Sequence, residues 1–308
     1  MKCGLSLNVN ETLQSIVEKS IASETCGLDY LWIADLPDQL YAPVVASKVA
    51  SRTRRIRIGV GLMSVFLHAP RHLAMAMDAL CNAYGDRFDM CIGVGDVQQL
   101  KHVGVHVEAI RNLPSRVLES KRKISSYLRK RGVDAQIWLG AQGPKMLGIA
   151  KRFDGVLLNY SKPTMIEWAI AEGHLMRKHG VKIGVYPPSY VYVKLRPDML
   201  PLAKISSSVV ALGAPRAVLQ RFGLYEGLCR AKELVEAGSS IDAIVNLVPD
   251  SVLEDFSATM QATDLPGYVD SLGRLGVTHV VFAYPQNYSV DTIRELKEAL
   301  DLASRPPH

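Results

Sequence analysis

Short runs rich in β-branched and aromatic residues alternate with longer stretches of helical period along most of the chain. This alternation constrains the fold more than any other feature, because two strands joined by a helical crossover pair in parallel. The strand-like runs are Cys3 to Leu7, Tyr30 to Ala34, Ile56 to Gly61, Phe88 to Gly93, Gln136 to Gly140, Gly155 to Asn159, Lys182 to Val193 and His279 to Ala283. Helical stretches cover Glu11 to Cys26, Pro43 to Arg52, Pro70 to Tyr84, Arg116 to Lys130, Pro144 to Lys151, Met165 to His179 and Val290 to Ala303. Eight strand-helix units make a closed (β/α)8 barrel, an α/β fold of the TIM-barrel type. The 308 residues suit such a barrel, which takes about 250 residues plus insertions.

A repeated phrase supports the cyclic architecture. Cys26-Gly27-Leu28-Asp29-Tyr30, Arg131-Gly132-Val133-Asp134-Ala135 and Leu275-Gly276-Val277-Thr278-His279 each precede a strand. In each, the glycine is expected to take the left-handed conformation that ends a helix, and the apolar residue after it to turn the chain into the sheet. From Pro197 to Pro266 the period is helical throughout, and about 70 residues exceed what one crossover needs. This segment is expected to be a helical insertion, over residues 197–266, in a single domain spanning 1–308.

Composition excludes several classes. With 48% apolar and 21% charged residues the chain can build a core and is not of the disordered kind. The net charge of +6 admits a polyanionic partner. Its densest basic run, Lys121, Arg122, Lys123, Arg129, Lys130 and Arg131, lies on a helical pattern without interleaved aromatics, so it reads as a solvated face and not as a nucleic-acid site. The five cysteines are widely spaced with no CxxC pair, so neither a disulfide framework nor a zinc site is expected. No apolar run approaches the roughly 20 residues of a membrane span, and Lys2 leads straight into a strand. A cytoplasmic protein without a membrane segment is expected.

In a parallel barrel the chemistry collects at the C-terminal strand ends. That places Ser6, Asn8, Asp35, Gly61 to Ser64, Gly93 to Asp96, Gly140 to Gly143, Asn159, Tyr160 and Tyr284 around one mouth. In Trp138 to Leu147 a strand ends at Gly140 and a helix starts at Pro144. Ala141, Gln142 and Gly143 in between either present backbone N–H groups to an anion such as a phosphate or form a plain βα turn. Gly93-Val94-Gly95-Asp96 gives a flat ligand room beside a carboxylate. Asp35 is either a ligand-facing carboxylate or the cap of a short turn. The glycines of Gly59-Val60-Gly61 signal a bulge that brings backbone toward a ligand. His68 and His72 lack a third metal ligand, and no metal site is expected.

Together these segments resemble the bacterial-luciferase-like superfamily. The likeness rests on Trp32-Ile33-Ala34-Asp35, Gly59-Val60-Gly61 with Pro70 beyond it, Gly93-Val94-Gly95-Asp96, Ala141-Gln142-Gly143-Pro144-Lys145-Met146-Leu147 and Asp154-Gly155-Val156-Leu157-Leu158-Asn159. Within the superfamily the sequence is most similar to the F420-dependent methylenetetrahydromethanopterin reductases, over nearly the whole chain. The resemblance implies a homodimeric barrel that holds coenzyme F420 at the mouth. It also implies a non-prolyl cis peptide at Gly61-Leu62 behind the deazaflavin ring. The phosphate and acidic tail would lie near Ala141, Gln142 and Gly143 with Lys145 as charge partner, and Gly95 and Asn159 would also border the cofactor. Asp35, Ser64 and Asp96 would line the ring and substrate, with Asp96 and Asp35 as the catalytic carboxylates. The implied reaction passes hydride between the deazaflavin C5 and a one-carbon unit on a pterin, with protonation of the pterin nitrogen.

Three positions depart from that pattern. A first-strand glutamate of the family is Ser6 here, the histidine after Asp35 is Leu36, and His68 stands where arginine is common. Two alternatives follow: an FMN-dependent monooxygenase of the same fold, and a cofactor-binding paralogue without catalysis.

Overall fold

The computed structural model describes residues 1–107, 111–175 and 180–303. Its strands are β1 (Lys2–Leu7), β2 (Tyr30–Ile33), β3 (Arg57–Ser64), β4 (Phe88–Gly93), β5 (Gln136–Ala141), β6 (Gly155–Leu158), β7 (Lys182–Val185), β8 (Ser189–Tyr192), β9 (Ala258–Gln261) and β10 (His279–Phe282). The first seven and β10 close into a barrel, with every neighbouring pair parallel. All eight C-terminal strand ends therefore meet at one rim.

The helices follow the strands in turn. They are α1 (Leu13–Thr25), α2 (Ala42–Ala50), α3 (Pro70–Tyr84), α4 (Val97–His102), α5 (Leu113–Arg131), α6 (Pro144–Leu147) and α7 (Pro163–Glu172), then α8 (Met199–Gly213), α9 (Arg216–Arg221), α10 (Tyr225–Glu236), α11 (Ile241–Ile244), α12 (Val252–Phe256), α13 (Leu265–Arg274) and α14 (Val290–Ala303). Local chemistry sets their starts. Thr12 caps α1 by accepting from Ser15 N at 3.2 Å, and Pro70 opens α3, where its missing N–H costs nothing. The repeated glycines behave as expected: Gly27, Gly132 and Gly276 take φ of 75°, 72° and 89° after α1, α5 and α13.

The seventh strand differs from the sequence reading. The run from Lys182 to Val193 is not continuous: β7 ends at Val185, Tyr186-Pro187-Pro188 leaves the barrel, and β8 pairs with β9 in a separate two-stranded parallel sheet. Neither proline can donate to a ladder, so both take part through their carbonyls, Pro187 O accepting from Ala283 N at 3.0 Å and Pro188 O from Ala258 N at 2.8 Å. β9 also interrupts the segment 197–266, which is helical on both sides of it but not throughout. Ala258, Met260 and Gln261 favour helix in isolation, and pairing with β8 overrides that preference. The helix expected over Pro144 to Lys151 is one turn, α6, followed by a 3₁₀ turn at Ala150–Arg152. The helix expected over Met165 to His179 ends at Glu172 before Gly173; residues 176–179 of that span lie outside the described ones.

Outside the barrel, the outward side chains of the strands pack beneath the helices in one large apolar cluster. Inside, Tyr30, Trp32, Cys91, Trp138, Leu157 and Val281 form a second cluster. Two glycines make room for its indoles: a Cβ at Gly59 would stand 2.3 Å from the Trp32 ring, and one at Gly155 would stand 2.4 Å from Trp138. The two rings meet edge to face at 5.8 Å. The barrel is thus filled below, which leaves the rim as the place for a ligand.

Candidate active site

The floor of the mouth is set by β3. Between Val60 and Met63 its register against β4 shifts, three steps on β3 matching two from Met90 to Ile92, so one extra residue is accommodated. This bulge reverses the side-chain alternation and turns Leu62 into the barrel, where it joins the interior cluster. The Gly61-Leu62 peptide is cis, as the resemblance implied. Gly61 has φ of 143°, and a Cβ there would lie 2.4 Å from the Cys91 carbonyl oxygen, so no other residue fits. Leu62 lies across Gly93 and Gly140, whose Cβ atoms, if present, would be 2.7 and 2.1 Å from its Cδ1. The result is an apolar floor with bare backbone on two sides.

Ser6, one residue before the end of β1, is fully buried, and its hydroxyl is hydrogen-bonded to the phenol of Tyr186, just past β7. Burial pushes the Tyr186 phenol up to about 12, against the effect of the Ser6 bond. Asn287, also buried, donates from Nδ2 to the Ser6 carbonyl at 2.7 Å, while its Oδ1 has no partner among the described residues. Tyr186 was not singled out in the sequence because the expected strand ran past it. Counting by twos from the inward Gly184 would have placed it in the interior.

Asp35 and His68, from the ends of β2 and β3, meet at the rim: His68 Nε2 lies 2.7 Å from Asp35 Oδ2. Only 6% of the Asp35 side chain is exposed, against 19% of His68. The Tyr41 ring lies 5.7 Å from the imidazole, and its phenol is held above its usual range by burial and by the Asp35 carboxylate. Sequence spacing gave no sign of this pairing, 33 residues apart.

The other anticipated residues have structural engagements of their own. Ser64 Oγ donates to the Val94 carbonyl and accepts from Phe66 N at 3.3 Å, which ties the β3 loop to the Gly95 turn. Asp96 is the N-cap of α4: its Oδ1 accepts from Gln98 N at 2.8 Å and Gln99 N at 3.0 Å. The Ala141 to Gly143 turn is clamped, with the Gln142 carbonyl accepting from Tyr160 and its Nε2 donating to Val210 O in α8 at 3.2 Å. Pro215 packs against Gly143, where a Cβ would stand 2.8 Å from its Cγ. Lys145 is exposed and has no ion-pair partner among the described residues. Asn159, half-buried at the end of β6, makes no side-chain hydrogen bond among them. Among the described residues there is no group of three or more His, Cys, Asp or Glu placed to hold a metal. No described helix is long and apolar enough to cross a membrane.

The fold is a closed parallel (β/α)8 barrel with a bulge at its mouth, an architecture shared by the solved structures it resembles only as far as the barrel. The family model described as luciferase-like monooxygenase matches residues 3–116. More particularly, the chain is 28% identical over 291 residues to the 5,10-methylenetetrahydromethanopterin reductase of Archaeoglobus fulgidus, covering 85% of this chain and 87% of that one. Its fold superposes with a TM-score of 0.84 and 22% identity on the coenzyme F420 dependent tetrahydromethanopterin reductase of Methanopyrus kandleri, over 97% of each chain. It matches an F420-dependent secondary alcohol dehydrogenase with a TM-score of 0.69 and 14% identity over 99% of each. The resemblance to the luciferase-like superfamily, and within it to these reductases, is borne out.

Proposed function

We propose that this protein is an F420-dependent oxidoreductase that reduces a one-carbon unit carried on a pterin, as a 5,10-methylenetetrahydromethanopterin reductase does. The observation that carries this reading is the inward-turned Leu62 on the β3 bulge, at the mouth of a chain similar to a 5,10-methylenetetrahydromethanopterin reductase over 85% of its length.

The residues present fit the cofactor. A flat ring needs an apolar support open to backbone on its edges, and Leu62 between Gly93 and Gly140 supplies one. A polyanionic tail needs a cation free of other ion pairs beside a small-residue turn, and Lys145 next to Gly143 meets that need. When bound, the deazaflavin supplies the hydride at C5. The protein's own work is to hold the ring on Leu62, to keep the Ala141 to Gly143 turn rigid through Tyr160 and Pro215, and to fix a proton source at the rim. The same reading includes a homodimer, which sedimentation velocity tests.

Addition of the purified protein should quench or shift the F420 fluorescence with a micromolar or tighter midpoint, and the reduced cofactor should be consumed when 5,10-methylenetetrahydromethanopterin is added. Absence of F420 binding overturns the reading. A yellow protein that retains FMN and ignores F420 would place it with the luciferase-like monooxygenases.

A further inference from the structure

We propose that His68 is the proton-delivering group of this active site, with Asp35 as the positioning residue that holds it. The inference rests on the F420-dependent reading above.

Reduction of a methylene bridge requires a proton at a defined place. The bridging carbon takes the hydride pair from the reduced deazaflavin, one carbon–nitrogen bond breaks, and its electron pair stays on the nitrogen. A proton must then reach that nitrogen. In this chain the first-strand position that would hold a carboxylic acid is Ser6, and its hydroxyl is committed to Tyr186. Tyr186 is a poor donor near neutrality because burial holds its proton tightly. Asp96 commits its Oδ1 to the first turn of α4, so that carboxylate is tied to a structural role through one of its oxygens. The Asp35–His68 pair at the rim joins an imidazole, the side chain best suited to give a proton near neutrality, to a buried carboxylate.

The pair has a direction. Asp35 is the buried member and His68 the more exposed one, so the carboxylate stands behind the imidazole. Asp35 takes up Nε2, and Nδ1 has no hydrogen-bond partner among the described residues. A carboxylate on one ring nitrogen fixes the ring, leaving the other nitrogen to exchange a proton with whatever enters the mouth. Tyr41 flanks the ring, and the His68 backbone N donates to Ser64 O at 3.0 Å, so the loop carrying the histidine is anchored to β3. The titratable group seen to face this pair among the described residues is Tyr41, at the start of α2. The imidazolium gives its Nδ1 proton to the substrate nitrogen, becomes neutral, and regains a proton from solvent after product leaves.

The carboxylate and the imidazole, 33 residues apart in sequence, are brought together by the loops that follow two neighbouring strands, β2 and β3.

The test uses the full-length protein and the variants His68→Gln, Asp35→Asn and His68→Gly. F420 binding, read by fluorescence, should stay within about threefold of wild type in all three, and KM for the methylene pterin should change little. Turnover should fall about 10²- to 10⁴-fold in His68→Gln, the range for loss of a general acid. The fall of rate on the alkaline side should vanish with it, and added imidazole should restore part of the activity of His68→Gly. In the cofactor-free protein, long-range ¹⁵N–¹H spectra should show His68 Nε2 protonated and hydrogen-bonded, a signature lost in Asp35→Asn. Wild-type turnover and an unchanged pH profile in His68→Gln, with F420 still bound, would overturn the role of His68 and leave the cofactor reading intact. Failure of the wild type to bind F420 overturns both.

Discussion

Arg57 and Asp89 clasp each other across the closed end of the barrel, Nη2 to Oδ1 at 2.7 Å and Nε to Oδ2 at 3.3 Å. Asp89 is wholly buried, whereas 28% of the Arg57 side chain reaches solvent. Two neighbouring strands are thereby joined at the end opposite the active site. Arg57 also donates to the Asp86 carbonyl and lies over the Tyr30 ring. Replacing Asp89 with Leu strands a guanidinium that is only partly solvated, and the expected cost is about 3 kcal/mol, the lower end for breaking a buried pair. The double variant Arg57→Met with Asp89→Leu should recover most of that. Urea unfolding of the single and double variants checks it, and F420 binding should be unaffected wherever the protein remains folded.

Acid sensitivity should centre on His279. Its pKa is lowered from 6.5 to about 4, by burial first and then by Lys182, Lys2, the N-terminus and Arg57. The Thr278 hydroxyl donates to the Ile183 carbonyl at 2.9 Å, so it accepts from His279 Nδ1–H at 2.7 Å, and Nε2 stays unprotonated without a partner among the described residues. A depressed folded-state pKa means that the unfolded chain binds the proton more readily. This contribution to stability is fully present above about pH 6.5 and lost as pH falls toward 4, where it levels off. Its size is about 3 kcal/mol at 1.36 kcal/mol per unit. Urea midpoints of the wild type should drop across that window, and those of His279→Gln should be flatter there.

The Ser6–Tyr186 hydrogen bond is expected to be structural. Tyr186→Phe removes one partner of a buried bond and should cost about 1–2 kcal/mol. It should leave turnover within a few-fold of wild type, in contrast to the variants of His68. A rate loss of several hundredfold in Tyr186→Phe would assign the proton to the phenol instead. Steady-state rates beside a thermal melt separate the two effects.

Much of the barrel was legible because its signals are local. Each barrel strand overlaps its expected run, β3 alone running three residues past it to Ser64, since alternation of β-branched runs with helical period is a property of neighbouring residues, and the caps at Gly27, Gly132 and Gly276 follow from the glycines themselves. The break at Tyr186-Pro187-Pro188 was legible too, because a proline pair seldom continues a central strand, yet the β-rich residues on both sides hid it. β9 was not: Ala258 to Gln261 become a strand only because β8 stands beside them. In the mouth, the bulge at Gly61-Leu62 was anticipated from glycines and from resemblance. The capping role of Asp96 and the pairing of Asp35 with His68 depend on where loops from different strands arrive, which no local period encodes. A carboxylate before a helix has two readings, ligand and cap, and only the three-dimensional partners distinguish them.

Two glycine substitutions should separate the support of the barrel from the surface it offers a ligand. A methyl group at Gly59 would press into the Trp32 indole at 2.3 to 2.6 Å, a flat ring already locked against Trp138. Gly59→Ala therefore overpacks a rigid interior and should cost about 1–3 kcal/mol or more. At Gly140 the obstacle is Leu62 Cδ1 at 2.1 Å, the free end of a flexible side chain. Gly140→Ala should move Leu62 off its seat with a stability change below about 1 kcal/mol, less than for a rigid core, because the obstacle is the far end of a flexible side chain and not a locked ring. A displaced Leu62 no longer offers the deazaflavin a level floor, so F420 affinity should fall about tenfold or more, equivalent to about 1.4 kcal/mol. Leu62→Ala, which removes the floor outright, should lose at least as much affinity whether or not Gly140→Ala is present. Fluorescence titration with F420 beside a thermal melt distinguishes the cases: if Gly140→Ala unfolds the protein as readily as Gly59→Ala, then Leu62 is a fixed part of the core and not the adjustable floor of the mouth.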